Sequence, residues 1–340
     1  MTEIATPAPS FAAGLESYLR QHIPGLEGPM QMERISGGQS NPTFFVTFDN
    51  RRLVVRKQPP GKLLPSAHAV DREYRIIIAL AGTGVPVPPS ILYCSDPGPI
   101  GTPFYVMERV EGRIFHDCTL PGIPKQERRE MYRAMATTLA TFHNVDYAAK
   151  GLGDYGRPGN YFARQISRWS KQWELSRTRD DANVEKLIAW LPAHIPDDDR
   201  TSLVHGDYRI GNLMFHPTDN RVVAVLDWEL STLGHPLADV AHTAIAWLTA
   251  SDEYGGLIGV DIAALGIPSL DAYIADYNAA AGTPIALTNF HKAFALFRWT
   301  CIFEGIAARA KAGNAAADNA SQAGQLAAIF ARRASNEIES

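Results

Sequence analysis

The sequence is poor in the features that would indicate a disulfide-stabilised, zinc-binding or membrane protein. Its three cysteines, Cys94, Cys118 and Cys301, are widely spaced and form no C-x-x-C pair, so neither a disulfide framework nor a zinc site is expected. No run of about 18 uncharged apolar residues occurs, and the first residues lack a basic segment followed by an apolar one. We therefore expect a soluble protein of the cytoplasm without a membrane partner.

The chain also lacks an excess of positive charge. It has 32 Lys and Arg against 36 Asp and Glu in 340 residues, which gives a formal net charge of -4. Nucleic-acid binding usually requires a basic surface, so no nucleic-acid partner is expected, although this count does not exclude a local basic patch. A chain of this length can bury a core in one large domain or in two smaller ones.

The most informative stretch is Val204–Asp227, which reads VHGDYRIGNLMFHPTDNRVVAVLD. It predicts a loop, a short strand, a Pro-Thr-Asp-Asn turn and a second strand that ends on Asp227. This hairpin is expected to return Asp227 to the neighbourhood of Asn212. Magnesium prefers oxygen ligands and usually takes one or two protein groups beside nucleotide phosphates. One carboxylate and one amide oxygen would suffice, which leaves Asp207 for a substrate hydroxyl. Taken singly, His-Gly-Asp would be an ordinary turn and Asp227 a strand-end cap, but the joint order favours the catalytic interpretation.

The pattern H-G-D-x-x-x-x-N, followed by a strand ending in Asp-Trp-Glu, resembles the aminoglycoside phosphotransferase family, small-molecule relatives of the protein kinases. In the kinase catalytic loop an Asp accepts the hydroxyl proton, an Asn five residues on binds magnesium, and a later Asp binds the metal that bridges the phosphates. The resemblance assigns these roles to Asp207, Asn212 and Asp227. It implies a two-lobed α+β fold of the protein-kinase type. A small nucleotide-binding lobe with an antiparallel sheet would cover residues 1–107, and a larger, mainly helical catalytic and substrate lobe would cover residues 108–340.

A glycine-containing turn at residues 36–41, Ser-Gly-Gly-Gln-Ser-Asn, precedes a predicted β-hairpin at residues 44–55. Glycines would let backbone amides approach phosphate oxygens, and a serine could donate its hydroxyl. Gly37, Gly38 and Ser40 are therefore candidates for nucleotide binding. A plain turn is the alternative.

Arg56 and Lys57 end the hairpin, where a cation could meet nucleotide phosphates. Alternation along a strand sends their side chains to opposite faces, so only one can point inward. The family more often has the cation immediately after the apolar run, which favours Arg56. A helix is predicted over Ser66–Leu80, and its Glu73 lies off the apolar face and resembles the family glutamate that pairs with the strand cation. A solvent-exposed glutamate is the alternative. The predicted apolar face consists of Val70, Tyr74, Ile77, Ile78 and Ala81.

The run Phe104–Gly112 is typical of a buried strand that ends at a glycine. By resemblance it is the hinge between kinase lobes, where backbone groups two residues apart bind the adenine edge. These would be the Glu108 carbonyl and the Val110 amide, with Met107 behind the ring. An ordinary core strand would have much the same sequence.

Two further positions flank the candidate catalytic aspartate. Arg209 stands where protein kinases carry a lysine near the transferred phosphoryl group, so it is either a candidate for transition-state stabilisation or a surface arginine. His205 is expected to orient the loop through hydrogen bonds. By resemblance, Asp239 is the family aspartate that braces the same loop.

The segment Asn160–Arg179 combines aromatic and cationic residues. Packing of Trp169 and Trp173 into the core is the preferred interpretation. A surface that receives an anionic substrate is the alternative, and its cations would be Arg164, Arg168 and Lys171.

The combined motifs predict an ATP- and magnesium-dependent transfer of phosphate to a hydroxyl of a small molecule. His-Gly-Asp-Tyr-Arg and Gly-Gly-Gln-Ser-Asn-Pro-Thr look most like the branch of the family that is fused, in animals, to acyl-CoA dehydrogenase family 10 and 11 domains. That resemblance implies a hydroxy-acyl-CoA acceptor. An aminoglycoside-type antibiotic kinase and a nucleotide-binding pseudokinase or scaffold are the alternatives. The sequence leaves the acceptor, the choice between ATP and GTP, and the oligomeric state open.

Overall fold

The structure is a computed structural model that describes residues 9–35, 41–59, 69–312 and 320–339. The predicted phosphate-binding residues Gly37, Gly38 and Ser40 lie outside the described residues.

The chain divides into two compact units. The first comprises residues 1–112 and 223–231, and the second comprises residues 113–222 and 232–340. The sequence predicted a nucleotide-binding lobe that ends at residue 107 and a catalytic lobe that follows it. This assignment of functions to the two lobes stays a prediction.

The first unit contains an antiparallel sheet. Its elements are α1 (Pro9–His22), β1 (Gln31–Arg34), β2 (Thr43–Phe48), β3 (Arg51–Lys57), α2 (Val70–Leu80), β4 (Ser90–Cys94) and β5 (Phe104–Glu108). The strands pair in the order β1-β2-β3-β5-β4, and every neighbouring pair is antiparallel. The predicted hairpin is confirmed as β2 and β3, because alternate residues of β2 face the core as the sequence pattern requires.

The core of this unit lies between the sheet and α1. Leu15 and Leu19, one helical turn apart, are fully buried with Val46 and Val55 from the hairpin and Val106 from β5. This packing fixes the plane of the sheet and therefore the direction in which the end of β3 presents its side chains.

Helix α2 departs from the predicted pattern. The apolar face was only partly correct, because Ile78 is 46% exposed whereas Glu73, predicted to lie off the face, is 1% exposed. The buried residues are Val70, Glu73, Ile76, Ile77 and Leu80. A buried carboxylate is tolerated only where hydrogen bonds and an opposite charge replace its hydration. Arg56 of β3, Tyr105 of β5 and Asn41, which precedes β2, supply them.

The second unit is mainly helical. Its elements include β6 (Arg113–Ile114), α3 (Lys125–His143), α4 (Tyr161–Ser176), α5 (Ala182–Ala193), β7 (Ser202–Val204), β8 (Leu213–Phe215), β10 (Thr232–Gly234), α6 (Pro236–Leu248), α7 (Ser251–Tyr254), α8 (Ile262–Leu265), α9 (Leu270–Ala281), α10 (Asn289–Lys311) and α11 (Ala320–Glu339). Strand β9 (Val222–Val225) begins at Val222, which belongs to the second unit, and its other residues belong to the first. Strand β6 pairs antiparallel with β8, and β7 pairs antiparallel with β10.

The core of the second unit forms around α10, which packs against α4, α6 and α11. Met131, Met135 and Leu139 of α3 recur at helical spacing and are buried. Trp173 of α4 is fully buried, as the core interpretation of its segment requires, whereas Trp169 is only half-buried. Within the described part of the chain, no helix has the length and apolar character needed to cross a membrane.

Candidate active site

The His-Gly-Asp loop follows β7 and is braced by a buried carboxylate. Gly206 has a φ of 82°, a left-handed conformation that favours glycine. The backbone amides of His205 and Gly206 donate to the two carboxylate oxygens of Asp239, at 2.6 and 2.8 Å. Asp239 lies in the first turn of α6 and is fully buried. The bracing role that the resemblance implied for Asp239 therefore has a direct geometric basis.

The carboxylate of Asp207 is surrounded by hydrogen-bond donors. His242 Nε2 lies 2.9 Å from Oδ1, and Asn212 Nδ2 lies 2.7 Å from Oδ2. Arg209 Nε is 3.4 Å from Oδ1. Burial raises the pKa of Asp207, but the hydrogen bond from His242 and the positive charge of Arg209 outweigh it and hold the pKa well below its usual value. Asp207 is consequently an anion at neutral pH.

Asn212 is oriented by the same aspartate. Its amide nitrogen donates both to Asp207 Oδ2 and to the Asp207 backbone carbonyl, at 2.7 and 2.8 Å. The spacing of five residues permits this because Ile210–Asn212 form a 3₁₀ turn. Since the nitrogen is used twice, the amide oxygen is the group left to accept a donor or a cation.

A second group of charged side chains lies in the first unit, and we call it the Arg56 cluster; it consists of Arg56, Glu73, Asp227 and Glu229. Arg56 Nε is 2.7 Å from Glu73 Oε2. Its Nη2 is 2.7 Å from Asp227 Oδ1 and 3.9 Å from Glu229 Oε2. One guanidinium thus faces three carboxylates.

Lys57 takes a different direction from its neighbour, as strand alternation predicted. Its Nζ lies 4.7 Å from the centre of the Phe11 ring. Of the two candidate cations, Arg56 is therefore the one that pairs with Glu73.

Glu73 has two further partners. The side-chain amide of Asn41 donates to Glu73 Oε1, and the Tyr105 hydroxyl donates to Oε2 at 3.1 Å. Burial raises the pKa of Glu73 to about 7, since the opposing charge of Arg56 is partly offset by the nearby Asp227. The same carboxylates raise the pKa of Arg56 above its usual value against the effect of burial, so Arg56 stays charged.

Asp227 has an unusual backbone conformation. Its φ and ψ are 63° and 67°, in the left-handed region that few residues other than glycine occupy, although aspartate tolerates it better than most. The flanking chain is held in place, because the Val225 amide donates to the Pro86 carbonyl at 2.8 Å and Trp228 Nε1 donates to the Val225 carbonyl at 3.0 Å. Backbone strain that the surroundings impose in this way is concentrated at functional sites.

The charges of the Arg56 cluster are suited to a divalent cation. With all groups ionised, three carboxylates against one guanidinium give a formal charge of -2. The Asp227 side chain is 36% exposed and is thus accessible. Among the residues that the structure describes, no group of three or more His, Cys, Asp or Glu could hold a metal ion alone.

The candidate adenine-binding residues lie at the end of β5. Met107 is buried, and the side chain of Glu108 pairs with Arg51. The Glu108 amide donates to the Pro89 carbonyl at 2.8 Å. Contacts of the Glu108 carbonyl, the Val110 amide and Met107 with a nucleotide stay predictions.

Sequence reasoning missed several members of these two sites. It gave no role to Asn41, Tyr105, Glu229 or His242. A signal for His242 was present, because it follows Asp239 by three residues in α6. Residues one helical turn apart share a face, so the helix that braces the loop also presents His242 to it.

The first unit contains an antiparallel sheet and a buried Arg-Glu pair, and the second is mainly helical with a braced His-Gly-Asp loop. These features define a protein of the kinase-like fold. The sequence profile of the Phosphotransferase enzyme family, also called APH, matches residues 31–287, and the chain belongs to this family. The family that the sequence motifs predicted is thereby confirmed.

The relatives include acyl-CoA dehydrogenase family members 10 and 11, which the sequence motifs also resembled. Acyl-CoA dehydrogenase family member 10 of Mus musculus is 43% identical over 334 residues, which are 97% of this chain and 31% of that protein. Acyl-CoA dehydrogenase family member 11 of Gallus gallus is 42% identical over 329 residues, 94% of this chain and 42% of that protein. The chain thus spans less than half the length of these relatives. A crystal structure of a provisionally assigned aminoglycoside phosphotransferase from Ralstonia eutropha is 45% identical, with a TM-score of 0.89 and coverage of 96% of this chain and 98% of that one.

Proposed function

We propose that the protein is an ATP- and magnesium-dependent phosphotransferase whose acceptor is a hydroxyl of an anionic small molecule, namely a hydroxy-acyl-CoA. The observation that carries the proposal is the arrangement of Asp207, an ionised carboxylate fixed by His242, Asn212 and Arg209 on a braced loop. Membership of a phosphotransferase family supports the reaction class.

Asp207 receives the acceptor hydroxyl in this proposal. An ionised carboxylate has about four lone-pair sites, so it can accept a further hydrogen bond beside those already present. Its lowered pKa makes it a weak base. Asp207 therefore acts chiefly by orienting the hydroxyl for attack and takes the proton only as the bond to phosphorus forms, in line with the small amount of covalent chemistry that phosphoryl transfer asks of a protein.

Asn212 and Asp227 are the proposed protein ligands of magnesium, Asn212 through its amide oxygen and Asp227 through its carboxylate. The bound ion would neutralise charge on the phosphates. Arg56 would contact the phosphates with Glu73 behind it, and Arg209, whose side chain is 41% exposed, would offset charge that develops during transfer. The other nucleotide contacts are carried over from the resemblance, namely Gly37, Gly38, Ser40, Met107, Glu108 and Val110.

The anionic character of the acceptor is inferred from cations that adjoin the Asp207 site. The guanidinium carbons of Arg168 and Arg298 lie 5.4 and 5.7 Å from the centre of the Trp169 ring. Nη1 of Arg298 is in turn 3.3 Å from His242 Nδ1, and the other nitrogen of that ring contacts Asp207. Arg298 is therefore linked to Asp207 through the His242 ring, and it shares the Trp169 ring with Arg168.

The described residues offer these cations few negative partners. In the described ranges, no carboxylate oxygen lies within ion-pair distance of Arg164, Arg168 or Arg298, and Arg164 instead donates to the backbone carbonyls of Gly159 and Arg157. A cation cluster of this kind favours acidic groups such as the phosphates of coenzyme A. It disfavours a polycationic aminoglycoside, which like charges would repel.

The test is to incubate the protein with magnesium and ATP and with either hydroxyacyl-CoAs that differ in the position of the hydroxyl or kanamycin, and to identify phosphorylated products by mass spectrometry. We expect phosphate on the acyl hydroxyl. We expect kcat/KM to fall as the salt concentration rises, because exposed charges are screened over about 8 Å at physiological ionic strength. We expect kcat/KM to fall with Arg168→Glu as well, because the substitution reverses one of these charges. Lys186→Glu on α5, an exposed cation that pairs with Glu339, is the matched charge-reversal control and should have little effect.

Three outcomes of this experiment would contradict the proposal in different ways. Phosphorylation of kanamycin without any reaction of hydroxyacyl-CoAs would make the acceptor wrong and leave the reaction class intact. ATP binding without turnover on a broad metabolite panel would favour a pseudokinase. A kcat/KM that changes neither with salt nor with Arg168→Glu would show that these cations do not contribute to the acceptor site.

A further inference from the structure

His242 is the buried partner of Asp207 that no sequence motif indicated. It lies in α6 with a side chain that is 3% exposed. Its Nε2 contacts Asp207 Oδ1 at 2.9 Å. Its Nδ1 faces α10, where Trp299 Nε1 and Arg298 Nη1 both lie 3.3 Å away.

The donors on α10 determine which nitrogen of the ring carries the proton. An indole N–H and a guanidinium can only donate hydrogen bonds. Nδ1 of His242 must therefore be the unprotonated, accepting nitrogen, and the ring proton must be on Nε2. That proton points at Asp207 Oδ1, which as an ionised carboxylate can only accept.

A charged imidazolium would not fit this environment. It would place a second N–H against Trp299 Nε1 and a positive charge 3.3 Å from Arg298. Burial lowers the pKa of His242, and Arg298 lowers it further against the opposing effect of Asp207. The neutral form with the proton on Nε2 is thus favoured by geometry and by electrostatics alike.

We propose that His242, locked in its neutral Nε2–H tautomer by Trp299 and Arg298, is a positioning residue that fixes the rotamer of Asp207. Asn212 holds Oδ2 at 2.7 Å and His242 holds Oδ1 at 2.9 Å. With one donor from the catalytic loop and one from α6, the carboxylate cannot rotate about its terminal bond without breaking a hydrogen bond. The remaining lone pairs then point in a fixed direction, toward which a hydroxyl must approach.

This arrangement also limits the route of the proton. His242 cannot accept a proton from Asp207 through Nε2, because that nitrogen already carries one, and Nδ1 is covered by two donors. A proton taken up by Asp207 must therefore leave toward solvent or product, not through α6. The inference about kinetics rests on the proposed function, whereas the inference about the tautomer does not.

The tautomer can be measured on the full-length protein without any substrate. Two-bond ¹H–¹⁵N correlation spectra of protein labelled on histidine distinguish the Nε2–H, Nδ1–H and charged rings, and the signal missing in His242→Gln assigns His242 among the ten histidines. We expect the Nε2–H pattern at neutral pH. An Nδ1–H or charged pattern for this ring would overturn the proposal, whether or not the protein proves to be a kinase.

The positioning role is tested by two substitutions and a control. His242→Leu removes the donor to Asp207, and it should lower kcat roughly 10²-fold, the effect of a misplaced reacting group, without changing KM for ATP. His242→Gln carries an amide N–H about as far from the backbone as Nε2, so it should restore most of the loss. His291→Gln is the matched control, because His291 is also buried in this unit but contacts Thr288, and its kcat should stay near wild type.

Equal losses of kcat in the Leu and Gln variants, with unchanged melting temperatures, would show that a donor at this position is not needed and would overturn the positioning role. A rise of KM for ATP as the main effect would do the same. If wild-type protein turns over no acceptor at all, the proposed function fails, and the NMR measurement alone decides the inference about the locked tautomer.

Discussion

Asp207 in the second unit and Glu73 in the first are both held by three donors, yet their pKa values move in opposite directions. Asp207 contacts His242, Asn212 and Arg209, and its pKa lies well below the usual value. Glu73 contacts Arg56, Asn41 and Tyr105, and burial raises its pKa to about 7.

The difference follows from exposure and from neighbouring charge, not from the number of donors. The Asp207 side chain keeps 22% of its surface exposed, whereas that of Glu73 keeps 1%. Glu73 also shares its guanidinium with Asp227 and Glu229. Asp207, which is proposed to orient a substrate hydroxyl as an anion, thus retains contact with water, and none of its three partners named above is a carboxylate. A carboxylate that only holds a cation in place tolerates deep burial.

The largest effect should come from neutralising the carboxylate of Asp207. Asp207→Asn keeps the size of the side chain but removes the charge that accepts the hydroxyl proton, so turnover should fall roughly 10²- to 10⁴-fold, the usual contribution of a general base. The melting temperature and the affinity for ATP should change little. Steady-state kinetics and calorimetric titration measure both quantities. Near wild-type turnover would remove Asp207 from the reaction.

A somewhat smaller effect, on stability as well as on activity, is expected from removing the cation that Glu73 shares. Arg56→Ala leaves three carboxylates without their guanidinium, and removing one partner of a buried ion pair destabilises a protein by about 3–5 kcal/mol. KM for ATP should rise as well. Lys57→Ala is the matched control, since it removes an adjacent cation whose contact with Phe11 is worth about 0.5–1 kcal/mol. Chemical denaturation of both variants measures the difference, and equal losses would assign no special role to Arg56.

The sequence predicted the parts of both regions that depend on local order. Strand alternation gave the β2–β3 hairpin and sent Arg56 and Lys57 in different directions. The spacing of Asp207 and Asn212 predicted that they act together, and five residues with a 3₁₀ turn do bring the two side chains into contact. These features need only neighbours in sequence or a short, fixed offset.

The parts that sequence reasoning missed depend on contacts between distant elements. Helical periodicity rests on the expectation that apolar residues face the core. It therefore placed Ile78 in the core and Glu73 outside it, and both assignments were wrong. Glu73 is buried because Asn41, 32 residues earlier, reaches it. Likewise, nothing in the local pattern around His242 shows that Trp299 and Arg298, more than 50 residues later, lie against its ring.

The smallest expected effect is a pH dependence that distinguishes Glu73 from an ordinary carboxylate, and Glu73→Gln reveals it. The folded-state pKa of about 7 lies above the ordinary value of 4.5. The folded protein therefore binds more protons than the unfolded chain between these values, and by linkage its stability falls as pH rises through that window. Glu73→Gln cannot titrate, so the unfolding free energy of wild type minus that of the variant should decrease by on the order of 3 kcal/mol from pH 4.5 to 7 and level off on either side. Urea denaturation of both proteins over this range measures the difference. An opposite slope, with wild type gaining stability as pH rises toward 7, would mean that Arg56 outweighs burial and that Glu73 resembles Asp207 after all.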